Sequence, residues 1–284
     1  MTTLEAPYPD LSIAVCSLTA TNDKAENLKN ALLQITEAAA RGADWIFLPE
    51  MFSFHGPYDQ LFANAEDENG RISQTLSELS ARLGKVVFAG SVGERPKGAK
   101  DGKIFNTQYV FDRLGHIVAK YRKVHLFNLL GADGKPLYCE SDGYLSGDQL
   151  KTFEIDGWRV GLATCYDVRF PEMFAGLTKD GPLDLIAIPA AFTLQTGTYH
   201  WELLCRARAV ENLCYVAAAN QVGNHSPGKA SFGHGIIIDP WGNVAADTGN
   251  RPGVAIAKIS KEFIRHWRAQ LPVLNNRRPE IYSN

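Results

Sequence analysis

The sequence predicts an α/β fold, a layered sandwich in which two sheets pack face to face with helices outside. Two observations lead there. Strand-like and helix-like patterns alternate along the chain, and hairpin signals such as Arg113-Leu114-Gly115 and Asp156-Gly157 are mixed among them. Alternation of this kind needs layers, because each sheet face and each helix stripe must bury its apolar side against another element. No break in composition divides the 284 residues, so the reading is one domain over 1–284, closing in a tail from about 270 to 284. No internal repeat is visible.

Each element has its own reason. Residues 11–17 form a β-rich run. Over 23–41 the apolar residues Leu28, Ala31, Leu32, Ile35 and Ala39 recur at three and four, one face of a helix, and Gly42 stops it. Residues 44–48 read as a buried strand. Residues 72–83 read as a helix with Leu76, Leu79 and Leu83 on one side and Gly84 closing it. Strands follow over 86–90, 106–112 and 116–120. The stretch 122–150 holds Gly131, Gly134, Pro136, Gly143 and Gly147 without a sustained period. A loop of that length is usually functional or disordered. Strands return over 151–155 and 158–164 across Asp156-Gly157, a two-residue turn dipeptide. Pro171 suits a first helical turn. A strand over 184–189, a helix over 199–212 and strands over 214–219, 235–239, 244–246 and 253–259 complete the pattern. Ser260 caps a last helix to about Ala269.

Composition removes some functions. Lys plus Arg number 29 and Asp plus Glu 31, a net charge of −2, so there is no electrostatic case for nucleic acid. No apolar run approaches the ~18 residues of a membrane span. Residues 1–10 hold Glu5 and two prolines, unlike a signal peptide. The five cysteines, Cys16, Cys139, Cys165, Cys205 and Cys214, are odd in number and contain no CxxC pair. That points away from a disulfide framework or a common zinc spacing, and toward a reducing, cytoplasmic setting. Cys16, Cys205 and Cys214 lie in apolar surroundings and read as small core residues.

Four polar residues at strand–loop boundaries could carry chemistry. Cys165 follows the apolar strand 160–164 and precedes a turn into a helix, where nucleophiles stand; it could equally be a buried thiol. Glu50 sits between an apolar strand and an apolar loop in Leu48-Pro49-Glu50-Met51-Phe52. It suits a general base or a carboxylate that accepts loop N–H bonds. Lys123 ends a strand, as an oxyanion partner or as one more solvated lysine among basic neighbours. Glu140 lies in Tyr138-Cys139-Glu140-Ser141, inside the glycine-bearing stretch. There is no GxSxG, no phosphate loop and no HExxH. His125, His200 and His234 could partner a cysteine but sit beside aromatic or apolar residues and read as satisfied core histidines.

Three fragments occur in one order: Leu48-Pro49-Glu50-Met51-Phe52, Tyr121-Arg122-Lys123-Val124-His125-Leu126-Phe127 and Cys165-Tyr166-Asp167-Val168-Arg169-Phe170-Pro171-Glu172. In this the chain resembles the nitrilase superfamily of carbon–nitrogen hydrolases. Within it, Cys139-Glu140-Ser141, His200-Trp201-Glu202, Gly233-His234-Gly235 and Asp239-Pro240-Trp241-Gly242 resemble the branch that acts on deaminated glutathione. Ser146-Gly147-Asp148 departs from the Pro-Gly common in relatives. The resemblance implies a four-layer α-β-β-α sandwich of the nitrilase type and a Glu50–Lys123–Cys165 triad with Glu140 as a second glutamate. It implies a thioester on Cys165 and an oxyanion held by Lys123 and the Tyr166 backbone N–H. No metal or organic cofactor is required. The expected substrate is a small-molecule amide, the γ-amide of a 2-oxo acid, and the expected assembly is a homodimer or higher homo-oligomer without nucleic acid or membrane. Arg169, planar and forked, is the candidate partner for the substrate carboxylate, or a scaffold partner of Glu172. Phe192 and Thr196 line the same pocket by resemblance. Alternatives are an ω-amidase on 2-oxoglutaramate or 2-oxosuccinamate, a nitrilase, and a module that keeps the fold without catalysis.

Overall fold

Trp45 and Trp158 meet edge to face, ring centroids 6.0 Å apart, and the two main sheets are built around that contact. The structure, a computed structural model, describes residues 10–282; the reading of residues 1–9 and the last two residues of the tail lie outside the described residues. In the first sheet the strand order is Gly253–Ile259, Leu11–Ser17, Trp45–Phe47, Val86–Phe88, Ile104–Phe111, Val92–Glu94, and Ile117–Arg122 and Tyr144–Leu145 also pair with Ile104–Phe111. The second runs Lys151–Ile155, Trp158–Leu162, Leu185–Ala187, Tyr215–Ala218, Ile236–Ile238, Val244–Asp247.

Side-chain alternation explains the layering, since successive strand residues point to opposite faces. Ile13, Val15, Trp45, Phe47, Val86 and Phe88 face the second sheet, in one core with Trp158, Val160 and Leu162. Their neighbours Ala14, Cys16, Ile46, Leu48 and Val87 face outward, onto Ala31, Ile35 and Ala38 of the helix Lys24–Ala40 and Leu76 and Leu79 of Arg71–Leu83. Asp23 caps the first of these helices by accepting the N–H groups of Ala25 and Glu26. The helices Pro171–Leu177 and Leu194–Asn212 bury Phe174, Trp201, Cys205 and Ala209 on the other side. The fold is the α-β-β-α sandwich.

The Asp156-Gly157 hairpin forms with both φ angles positive, and Ile155 pairs with Trp158 directly across it. Cys16, Cys205 and Cys214 are fully buried. Other expectations need correction. The stretch 122–150 is not one loop: Asn128–Leu130 pairs with Pro136–Cys139, a short helix spans Glu140–Gly143, and Tyr144–Leu145 joins the first sheet. These segments are too short for a period to show. The helix expected over 199–212 begins at Leu194, capped by Thr193, because Thr196, Gly197 and Thr198 are weak helix formers that hide its first turns. Ser260 stands at the N-cap of Lys261–Gln270 but makes no side-chain capping bond. The hairpin Val222–Ser226 with Lys229–Phe232 has no counterpart in the sequence reading. Among the described residues no helix is long and apolar enough to cross a membrane.

Candidate active site

Glu50 leaves the sheet just after the strand Trp45–Phe47. Its turn closes against Gly90, φ +50°, where an added Cβ would lie 2.0 Å from the Pro49 carbonyl oxygen. Any side chain at 90 would displace the segment carrying Glu50. Met51 N–H donates to Ser91 Oγ at 3.0 Å, and Gln221 Nε2 donates to the Glu50 carbonyl at 3.0 Å. Lys123 follows Ile117–Arg122; its N–H donates to the Asn106 carbonyl at 2.9 Å. Glu140 opens the short helix Glu140–Gly143. Cys165 opens the 3-10 turn Cys165–Arg169 at φ +50°, a left-handed conformation that costs an L-residue energy. Its N–H donates to the Pro189 carbonyl at 2.9 Å.

The structure brings these four side chains to one cavity, which all of them line. Lys123 Nζ donates to Glu50 Oε1 at 3.0 Å and to Glu140 Oε1 and Oε2 at 2.9 and 2.8 Å. Lys123 is 2% exposed and Glu50 4%. Glu50 Oε2 accepts the Ala191 N–H at 2.8 Å, and Glu140 Oε2 accepts the Phe127 N–H at 2.6 Å. The electrostatics follow from crowding these charges out of water. Burial alone would lower the Lys123 ammonium; Glu140 and Glu50 outweigh it and hold the group well above its ordinary value. Burial pushes the Glu140 carboxyl up, with Lys123 opposing and Glu50 adding to the rise. Burial, and then the Glu50 charge, push the Cys165 thiol well above its ordinary value. Both effects favour the protonated thiol over the thiolate.

A second lobe shares Cys165 with the first and is lined by Tyr166, Arg169, Phe192 and Thr196, the four residues expected to bind substrate. Arg169 stands over the Phe192 ring at 5.1 Å and contacts His200 Nδ1 at 3.3 Å, so its side chain lies along this lobe.

Sequence reading missed the residues that lock the frame. Asn106, 1% exposed, donates from Nδ2 to Glu50 Oε1 at 2.8 Å and Glu140 Oε1 at 3.3 Å. Asp167, fully buried, accepts from Thr164 N–H at 2.8 Å, Tyr121 OH at 2.6 Å and His125 N–H at 3.1 Å, tying the cysteine turn to the end of the Lys123 strand. The signal was present. Asn106 opens a polar run, Asn106-Thr107-Gln108, inside a strand flanked by apolar residues, and Asp167 is an acid two residues after Cys165. Of the three histidines, His125 and His234 are partly buried and bound to Asp167 and Asp247, whereas His200 is exposed rather than a core residue. Among the described residues no group of three or more His, Cys, Asp or Glu is arranged to hold a metal ion.

The profile of the carbon-nitrogen hydrolase family matches residues 12–269. The chain is 38% identical over 276 residues to a human deaminated glutathione amidase, covering 96% of this chain and 84% of that one. It is 37% identical over 262 residues to an omega-amidase of Xenopus tropicalis, covering 92% of each. The crystal structure of the C. elegans NitFhit protein superimposes with a TM-score of 0.87 at 35% identity, covering 98% of this chain and 67% of that one.

Proposed function

The chain belongs to the carbon-nitrogen hydrolase family, and we propose that it is a cysteine-dependent amidase hydrolysing the γ-amide of a 2-oxo acid, with deaminated glutathione as substrate and 2-oxoglutarate and cysteinylglycine as products. The observation that carries the reading is Lys123, bonded at once to Glu50 and Glu140 at the wall of a cavity that Cys165 also lines.

Because burial and the Glu50 charge favour the protonated Cys165 thiol, attack needs a base in step with it. Glu50 takes the thiol proton as sulfur bonds to the amide carbon. The carbonyl oxygen becomes an oxyanion, held by Lys123 and by the Tyr166 backbone N–H; one such donor contributes about 3 kcal/mol. Glu50 returns the proton to nitrogen as the C–N bond breaks, leaving a thioester. Water then enters and Glu50 takes its proton. The new C–O bond forms, the C–S bond breaks, and sulfur recovers the proton. Glu140 holds the Lys123 ammonium in place with two of its three bonds. Arg169, in the lobe with Phe192 and Thr196, binds the 2-oxo acid carboxylate.

The ω-amidase reading rests on the similarity to the omega-amidase; 2-oxoglutaramate differs in the amine released, and 2-oxosuccinamate also in an acyl chain one carbon shorter. Side-by-side turnover of deaminated glutathione, 2-oxoglutaramate, 2-oxosuccinamate and a simple nitrile tests both. Highest kcat/KM on the first supports the amidase stated here; preference for the next two supports the rival; turnover of the nitrile alone rejects both. Five free cysteines support a reducing, cytoplasmic placement. Tyr199, Leu203 and Val210, exposed along one face of Leu194–Asn212, support self-association into a homo-oligomer.

A further inference from the structure

Two lobes meet at Cys165, one lined by Glu50 and the other by Arg169. A departing amine must collect its proton from Glu50, and Glu50 lines the first lobe and not the second. On the amidase reading the amine half lies in the first lobe and the acyl half is directed toward Arg169.

The first lobe has two lysines on its wall, Lys123 and Lys229. Lys123 is already engaged by two carboxylates and has no charge left for a third. Lys229 is different. It follows Pro227-Gly228, where Gly228 at φ +77° turns the chain back, and it begins the strand Lys229–Phe232. It is partly buried, and its ammonium stands 5.4 Å from the centroid of the Tyr58 ring. Among the described residues no carboxylate pairs with it. Two neighbours on the same wall, His55 and Tyr58, are uncharged. Burial, and then His225 and Lys229, push His55 down to about 3, so the ring is neutral. Burial, then Glu140, push Tyr58 up to about 12, so the phenol is neutral. The hairpin is anchored: Phe232 N–H donates to the Phe192 carbonyl at 2.9 Å and Val222 N–H to the Leu18 carbonyl at 2.8 Å. A cation at a cavity wall with no carboxylate bonded to it is suited to an anionic ligand.

We propose that Lys229 binds a carboxylate carried by the departing amine, so that the enzyme recognises amides anionic at both ends, Arg169 taking the acyl-side carboxylate and Lys229 the amine-side one. The inference rests on the amidase reading above. The amine class it names is an amino acid or short peptide with a free C-terminus; an extended dipeptide reaches about 7 Å from its nitrogen.

The test compares kcat/KM for deaminated glutathione, which releases a dipeptide, with kcat/KM for 2-oxoglutaramate, which releases ammonia. Wild type, Lys229→Met and Lys229→Arg are measured. Lys229→Met should lower the ratio of the two values about 10-fold or more, through KM, and Lys229→Arg should keep it within about 3-fold. A ratio unchanged in Lys229→Met overturns the inference. Wild-type turnover confined to 2-oxoglutaramate also overturns it while leaving an amidase in place. Wild-type turnover of neither amide overturns the amidase reading, and the inference with it.

Discussion

Two ion clusters adjoin where the strand Ile117–Arg122 runs into Lys123, and their charge balance differs. In the first, Lys120 donates to Glu68 at 2.7 Å and Glu94 at 2.8 Å, Arg122 reaches Glu94 at 2.7 and 2.9 Å, and Thr107 adds a bond at 2.7 Å. Two cations answer two carboxylates. In the second, the single ammonium of Lys123, the next residue in the chain, answers both Glu50 and Glu140. One cluster is neutral and partly wet. The other is buried and holds a carboxylate in excess. The excess is what chemistry can use: a balanced cluster has no proton-accepting capacity to spare, whereas a second carboxylate beside a thiol has. Burial without balance is costly, and such clusters mark working sites more often than scaffolding.

This contrast can be broken at graded points. The largest effect is expected at Cys165, the proposed nucleophile. Cys165→Ala should lower amide turnover by at least about 10⁴-fold in a steady-state assay while the protein remains folded by circular dichroism. Next, Lys123→Met should lower kcat about 10³-fold, whereas replacing His200 or His234 should leave kcat within a few-fold. The reverse pattern would favour a Cys–His hydrolase. Smaller still, Arg169→Lys should raise KM roughly 10-fold for 2-oxo acid amides and far less for uncharged amides. Equal effects on both would remove Arg169 from substrate recognition.

The smallest effect is on the balanced cluster and concerns stability. Burial opposes ionisation of Glu94, but hydrogen bonds from Arg122, Lys120 and Thr107 outweigh it and hold the carboxyl below its ordinary value. A depressed folded pKa gives stability that is present above the unfolded value and lost as pH falls through the folded one. Urea midpoints measured from neutral pH downward should therefore fall more steeply for wild type than for Glu94→Gln. Parallel acid limbs would show that Glu94 contributes nothing of the kind.

How much of this was legible in the sequence depends on whether the cause was local. The strands Leu11–Ser17 and Gly253–Ile259 were readable to the residue, because apolar β-formers and flanking breakers are local facts. The sandwich followed from alternation. The hairpin beginning at Asn128 and the one holding Lys229 were not legible, since their strands are held by pairing across the fold and not by pattern. In the site, Glu50, Lys123, Glu140 and Cys165 could be singled out by residue type at strand ends. Their meeting could not, because Glu50 and Lys123 lie 73 residues apart in the chain. Asn106 and Asp167 hold other residues through side-chain hydrogen bonds, and nothing short of coordinates connects Asp167 to Tyr121.

Covalent capture tests the central claim most directly. Brief reaction with a slowly hydrolysed 2-oxo acid amide, acid quench and peptide mass spectrometry should find the acyl group attached to the peptide containing Cys165, and should find none in Cys165→Ala. An acyl group on another residue, or normal turnover by Cys165→Ala with no adduct in wild type, would contradict the account.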